Sequence, residues 1–518
     1  MQGGRHTADQ RESQQGHRWA IGGHLHCQPG PCSAVLTAAD RAPSAPAEPL
    51  APPGALWLWC LALALVLWGA AALRHALLQS NAYDLGLFDQ WAWLLARGLP
   101  PISSMEGVHV MADHAAWLFP LVALPYRWLP SIQWLFASQA LALSLTALPL
   151  WVVARQAGLG MRLAWLACGL WWLQPVVFNA NLFDFHPEVW AMPALAGCFW
   201  ALRAGRRWLW LGLLLVLLGC RDGLALVVLG LGLAAALERR WRAAALAAGL
   251  GLGWLLLLSR WLYPLLRGGG PKAAAAAYGH LGGSVEAVAL NLLSRPQRLL
   301  EQVGPGHALV YLLLLAVAVA PFWRRPSLPT LAAAIPLVAA NLVSETSAQR
   351  TLIHHYNLPV AVIAVVAAID GLAVARPVGL PWRRLAWATL CWAALAKPWF
   401  FTGPYLERFD QLKATGAAIA SISPGAAVLT TSPLVPQLSQ RTLVAFPHPP
   451  GDPALLQRFD VLLLDPGDPG WASDRASQER LLAGARQAGW HCRRWGDGEL
   501  ELCRRPGGAA AKTMPPPG

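Results

Sequence analysis

The sequence predicts an α-helical polytopic membrane protein with a small extracytoplasmic α/β domain at its C-terminal end. Three observations lead there. Of 518 residues, 56% are hydrophobic and only 13% charged, whereas a soluble domain carries about 25% charged residues. Apolar runs near or above the roughly 20 residues that a helix needs to cross the hydrocarbon core recur along the chain. From about residue 404 the apolar runs shorten to strand length.

Residues 1–54 are polar, rich in Pro, Gln, His and Ala, and lack an apolar core, so they are no secretory signal. They read as a disordered tail or as the product of an upstream start codon. The nine cysteines form neither a CxxC pair nor a zinc spacing. Cys27 and Cys32 of the tail are weak metal candidates, and Cys60, Cys168, Cys198, Cys220 and Cys391 read as inert packing residues.

The membrane part covers 55–402. Its first span is 55–74. Stretches 85–96 and 115–129 are too short to cross, and spans follow at 131–154, 162–178, 189–203, 243–263, 308–323, 328–343, 357–375 and 385–401. The run 208–237 is interrupted at Cys220-Arg221-Asp222-Gly223. Five short loops are rich in arginine, for example Arg203, Arg206 and Arg207, or Arg239, Arg240 and Arg242. They fall on one side if 115–129 does not cross and 208–237 forms two short helices. By the positive-inside tendency this predicts about 11 transmembrane helices with a cytoplasmic N-terminus. It also explains the net charge of +13 without nucleic acid as a partner.

The opposite, outer side then collects nearly all acidic residues and histidines outside the tail. Ionisable groups at membrane depth are costly and point to function. In the first outer loop, Leu87, Phe88, Trp91, Leu94 and Leu95 recur at helical spacing, and Arg97-Gly98 ends the run. This predicts an amphipathic helix in the interface. Asp84 is placed either to cap that helix or to face a substrate, and Asp89 has no capping role. Asp113-His114 reads as a second cap, as a metal-ligand pair or as a histidine oriented by a carboxylate. In the next loop Asp184, His186 and Glu188 alternate with Phe185 and Pro187. Extended geometry would put all three on one side, a set suited to a divalent cation such as Mg or Mn. Arg221-Asp222 reads as mutual neutralisation at a helix corner or as an arginine aimed at phosphate. His355 and Tyr356 open a late span and are further binding candidates.

Residues 403–505 predict the α/β domain, with strands in Ala426–Thr430, Thr442–Phe446 and Val461–Leu464 and helices near 405–421 and 474–488. Asp497-Gly498 is a favoured two-residue turn. Counting outward from it puts Cys492 opposite Cys503, at a hydrogen-bonded pair with Cα atoms about 5.5 Å apart, which a disulfide tolerates. Residues 506–518 read as a disordered tail.

Several of these motifs, in this order, resemble the membrane proteins grouped as domain-of-unknown-function family 2079. They are Tyr83-Asp84-Leu85-Gly86-Leu87-Phe88-Asp89-Gln90, Asp113-His114, and Asn181-Leu182-Phe183-Asp184-Phe185-His186-Pro187-Glu188. Cys220-Arg221-Asp222 looks like that family's Cys-Lys-Glu-Asp corner, one acidic position shorter and with Arg for Lys, and His355-Tyr356-Asn357-Leu358-Pro359 looks like its His-Tyr-x-x-Pro motif. The likeness spans about 55–505. The family in turn distantly resembles the GT-C glycosyltransferases. That resemblance implies a GT-C-like fold in the bacterial plasma membrane and sugar transfer from a polyprenyl-phosphate-linked donor to an envelope glycan or protein. It gives Asp84, with Asp89 as competitor, the role of base or of positioning the acceptor, and Arg221, read from its own chemistry, would stabilise the leaving phosphate. Asp113, His114, Asp222, His355 and Tyr356 would bind substrate. A transporter or flippase of a lipid-linked intermediate, and a non-catalytic envelope scaffold, are the rival expectations.

Overall fold

The computed structural model describes residues 50–268, 277–283, 285–301 and 303–507. The N-terminal tail expectation, with Cys27 and Cys32, and most of the C-terminal tail lie outside the described residues, as do Gly269 and Gly270. Among the described residues, four helices are long and apolar enough to cross a membrane, namely Gly54–Ala76, Gln133–Gln156, Trp241–Arg267 and His355–Ala375. Two bent pairs, Met161–Trp172 with Pro175–Leu182 and Arg325–Ala332 with Ile335–Val343, raise the number to six if each is one span. The expected count of about 11 therefore exceeds the helices that meet the length by themselves. Of the remainder, Arg207–Cys220, Leu224–Leu237 and Pro305–Ala316 are shorter apolar helices. Run 208–237 is two helices, Arg207–Cys220 and Leu224–Leu237, and 115–129 holds only the short turns Phe119–Val122 and Ala123–Tyr126.

Burial orders these helices. His355–Ala375 is 78% buried and forms the centre, whereas Gly54–Ala76 is 28% buried and shows Trp57, Leu58, Trp59 and Leu61 outward. Such exposed apolar rows suit lipid as solvent. Small residues let the inner helices approach closely. A Cβ on Gly371 would lie 2.0 Å from the Phe322 carbonyl oxygen, and one on Gly230 would lie 1.8 Å from that of Ala333. Arg203 is more than a topology signal, because it pairs with Asp370 at 2.8 Å and donates to Thr330.

The C-terminal region forms a five-stranded sheet of order β2-β1-β3-β5-β4, with β1 Val428–Thr430, β2 Val444–Ala445, β3 Val461–Leu464, β4 His491–Arg494 and β5 Glu501–Arg504. β1 runs parallel to β2 and β3, and β5 antiparallel to β3 and β4. One face packs Val428, Val461 and Leu463 with Leu78 and Ala82 of the first loop, and the other covers itself with helix Arg475–Gln487. That helix starts at Asp474, whose carboxylate accepts from Ser477 N at 2.7 Å.

Cys492 and Cys503 are joined, and their Cα atoms are 3.9 Å apart. The expected 5.5 Å was wrong for a definable reason. Trp495 N donates to Leu500 O at 3.0 Å and closes a four-residue loop where the two-residue turn was expected. This flips the parity of the ladder, so the cysteines occupy a narrow, non-hydrogen-bonded pair.

The expected interfacial helix, Leu87–Ala96, is instead almost wholly covered, including Asp89 and Gln90. Gln90 Nε2 donates to Ser104 Oγ at 2.7 Å and to Arg441 O at 3.0 Å, so the helix is clamped under the sheet domain. Nearby, Leu118 N donates to Gly219 O at 3.0 Å, and a Cβ on Gly219 would meet the Trp117 ring at 2.6 Å. Gly219→Ala is therefore expected to cost about 1–3 kcal/mol through overpacking. A lower thermal unfolding midpoint in detergent would show this, and an unchanged midpoint would show that the loop yields freely.

Candidate active site

Four chain segments converge at one end of the helices. Residues 82–86 form a π-helical turn that holds Asp84, and no side-chain cap is made there, so the capping role assigned as an alternative to Asp84 is absent. The turn faces loop 183–190. There Asp184 adopts φ +64, a conformation uncommon for a residue with a side chain. It turns the Asp184 carboxylate back to Arg74 Nη1 at 2.5 Å and Asn81 N at 2.8 Å. His186 points the other way, with Nε2 3.1 Å from Asp84 Oδ1. Pro187–Trp190 is a 3-10 turn that sends Glu188 toward Arg221, whose Nη1 donates to Glu188 Oε2 at 2.7 Å.

The set Asp184, His186 and Glu188 therefore does not assemble a metal site. Among the described residues their ligand atoms do not come together within 4.8 Å. The alternation argument required an extended strand, and the positive φ at Asp184 and the 3-10 turn break it.

The third segment is the corner between Arg207–Cys220 and Leu224–Leu237. Arg221 is extended there, at φ −165 and ψ 148. Its guanidinium also contacts His355 Nε2 and lies 5.3 Å from the centre of the Tyr356 ring. Asp222 accepts from Tyr263 OH at 2.7 Å, and its backbone N donates to His114 O at 2.9 Å. The fourth segment begins helix His355–Ala375. The His355 ring stacks on His186 with centroids 3.6 Å apart, and His354 stacks on Phe183 at 4.1 Å. Asp113 contacts His114 and lies 4.0 Å from Arg267.

The result is a continuous line from a carboxylate through two stacked imidazoles to a guanidinium: Asp84, His186, His355, Arg221. Asp84 and Arg221 remain partly exposed, with 24% and 16% of their side-chain surfaces open. His186 Nδ1, His355 Nδ1 and Glu188 Oε1 are buried and find no hydrogen-bond partner among the described residues. Buried polar atoms without a partner are rare in folded proteins, and a catalytic role is one explanation for them. Burial disfavours the Asp84 charge, but the hydrogen bond and charge of His186 outweigh it and hold the carboxyl below its usual range. Burial likewise opposes the Arg221 charge, and Glu188, Tyr356 and Asp222 overcome it, raising its pKa. Burial and His186 bring His354 down to about 4.

Of the residues singled out in the sequence, Asp84, His186, Glu188, Arg221, Asp222, His355, Tyr356, Asp113 and His114 gather here. Asp89 does not. It is buried, accepting from Tyr126 OH at 2.7 Å, Ser439 Oγ at 2.6 Å and Gln440 Nε2 at 3.1 Å. Its carboxyl is raised by burial, partly offset by those donors. Its place in the structure is that of a clamp to the sheet domain, not of a competing base. Sequence reasoning missed Arg74, Tyr263 and Arg267. A lone arginine after twenty apolar residues was a signal for Arg74, but it read as the end of a span.

The profile of the family described as "Predicted membrane protein (DUF2079)" matches residues 74–500. The chain belongs to this family. No curated protein matches. Among solved structures, the crystal structure of ArnT from Cupriavidus metallidurans in the apo state is similar with a TM-score of 0.50 and 13% identity, over 87% of this chain and 97% of that one. The likeness to ArnT is one of fold, in keeping with the distant GT-C resemblance read from the sequence. This family member is thus a multi-pass membrane protein of ArnT-like fold.

The pH dependence of the Asp84–His186 contact follows from its sign. A depressed carboxyl contributes stability that is complete above its ordinary 3.8 and is lost as pH falls through the lowered value. Unfolding midpoints taken from neutral pH down to about pH 3 should fall more steeply for wild type than for Asp84→Asn. Parallel curves would show that the contact carries no such stability.

Proposed function

We propose that the Asp84–His186–His355–Arg221 line is the reaction centre of a glycosyl transfer from a polyprenyl-phosphate-linked sugar to an envelope acceptor, on the extracytoplasmic side of a bacterial plasma membrane. The observation that carries the reading is the pairing of a partly exposed carboxylate with a partly exposed guanidinium, bridged by stacked imidazoles at 3.6 Å. A transfer of this kind needs a base at the attacking hydroxyl and fixed positive charge at the leaving phosphate, and a guanidinium is the side chain best shaped for phosphate.

In this mechanism the acceptor oxygen bonds to the anomeric carbon as the bond from that carbon to the phosphate oxygen breaks. The bonding pair leaves with the phosphate, the hydroxyl proton passes to Asp84, and the anomeric configuration inverts. His186 fixes the Asp84 carboxylate by its contact at 3.1 Å. Glu188 and Tyr356 hold Arg221 in place, and Asp222 with Tyr263 secures the corner. Asp113 and His114 border the same surface and would contact the acceptor. No step runs through a divalent cation, because the residues expected to hold one point to different partners. The fold shared with ArnT supports a lipid-linked donor entering from the bilayer.

The two bent helix pairs, at 42° and 61°, are the feature on which a transporter reading would rest. The ionisable cluster does not lie at either break.

Asp84→Asn in a strain that depends on this gene should abolish one envelope glycan at normal protein level. The loss expected from removing a general base is about 10²–10⁴-fold in rate. An unchanged glycan profile with full-length protein present would sink the assignment. The side of the membrane is tested separately. Cys492 and Cys503 are expected to resist a membrane-impermeant thiol reagent in intact cells and to react after reduction by a membrane-impermeant reductant, as a disulfide in an oxidising compartment should. Thiols reached only after lysis would place the sheet domain in the cytoplasm, and thiols labelled in intact cells without reduction would place it outside with the disulfide open.

A further inference from the structure

A cavity of about 650 Å³ lies between helix Leu87–Ala96, loop 130–132 and the sheet domain, apart from the line of Asp84 and Arg221. Its volume falls in the range of small-molecule sites. Arg441 and Arg97 both line it. Arg441 is 6% exposed. Its Nε donates to Leu438 O at 2.6 Å and its Nη1 to Ala426 O at 2.9 Å, so its charge meets only carbonyl oxygens. Neither arginine forms an ion pair with a carboxylate among the described residues, and Arg97 instead covers the Trp93 ring at 4.1 Å. Asp89 also lines the cavity, but its two oxygens are engaged by Tyr126, Ser439 and Gln440. Burial lowers Arg441 to about 10, which leaves it charged at neutral pH.

A buried cation without a counter-ion is costly, and a guanidinium is shaped to take phosphate. The rim says what carries the phosphate. Ser131 and Ile132 lead directly into the span Gln133–Gln156, and beside them Trp128, Leu129, Leu121 and Leu124 are 82%, 60%, 60% and 57% exposed. Such a tryptophan- and leucine-rich belt belongs at a membrane interface, where acyl chains lie beside the cavity mouth.

We infer that this cavity binds the phosphate headgroup of an anionic amphiphile, with the headgroup between Arg441 and Arg97 and the chains along the belt of Trp128 and Leu129. The inference goes beyond the transfer reaction and holds whether or not Asp84 acts as a base. A bound lipid here would also brace the sheet domain against helix Leu87–Ala96, since both form the cavity wall.

The test uses full-length protein exchanged into detergent and delipidated. It is then given phosphatidylglycerol or diacylglycerol of the same chains, and tightly bound lipid is counted by native mass spectrometry. Wild type should retain phosphatidylglycerol about tenfold better than diacylglycerol, the discrimination that a charged hydrogen-bonded pair supplies. Arg97→Gln with Arg441→Gln should remove that preference, and Arg221→Gln should keep it. Ser131→Trp, which blocks the mouth without changing charge, should also lower retention and serves if the double variant fails to fold. Displacement by inorganic phosphate at equal concentration would assign the site to a soluble phosphate compound, and resistance to it would assign a lipid. Equal retention of the two lipids by wild type, or a preference that survives both the double variant and Ser131→Trp, would overturn the proposal.

Discussion

A guanidinium set between two apolar half-helices has to be compensated, and much of the candidate site follows from how Arg221 is compensated. Its backbone is extended where the helices break, so the side chain leaves the corner sideways instead of following a helix. Glu188 reaches it from loop 183–190, and His355 and Tyr356 reach it from the start of the central helix. Once those groups are drawn in, His355 stacks on His186, and His186 in turn meets Asp84. An uncompensated ion at this depth would cost several kcal/mol, so the cluster is energetically tied together as well as adjacent.

The opposite end of the first loop is held by hydrogen bonds from uncharged donors. Asp89 and Gln90 sit on the same short helix that begins just after the Asp84 turn. They fasten it to Ser439, Gln440 and the Arg441 carbonyl of the sheet domain. Gly86 allows this approach, since a Cβ there would lie 3.0 Å from Val435 Cγ1. The sheet domain and the site therefore share one continuous helical segment, with Asp84 on its first turn and Asp89 and Gln90 on its second. Asp84 and Asp89 are five residues apart and chemically alike. One is partly exposed beside a histidine and the other is buried among hydroxyl and amide donors, so only the first is open to an incoming group.

Most of the site residues were legible because ionisable side chains are scarce in a chain that is 56% hydrophobic. In such a background Asp84, His186, Glu188, Arg221 and His355 stand out one by one. Their grouping was not legible. The assignment of Asp184, His186 and Glu188 to one side rested on a regular strand, and a single left-handed residue at Asp184 sent the three side chains to three partners. Local spacing predicts a common face only while the backbone is regular.

Composition and periodicity alone determined that the chain belongs in a membrane, that 208–237 breaks at Arg221, and that short strands follow the last apolar span. These are properties of local hydrophobicity, which needs no partner to be read. Tertiary structure alone decided which carboxylate faces the surface, that Arg74 pairs with Asp184, that helix Leu87–Ala96 is buried, and that the cysteine pair sits in the narrow register. Each of these depends on contacts between segments far apart in sequence, and a linear pattern does not carry them.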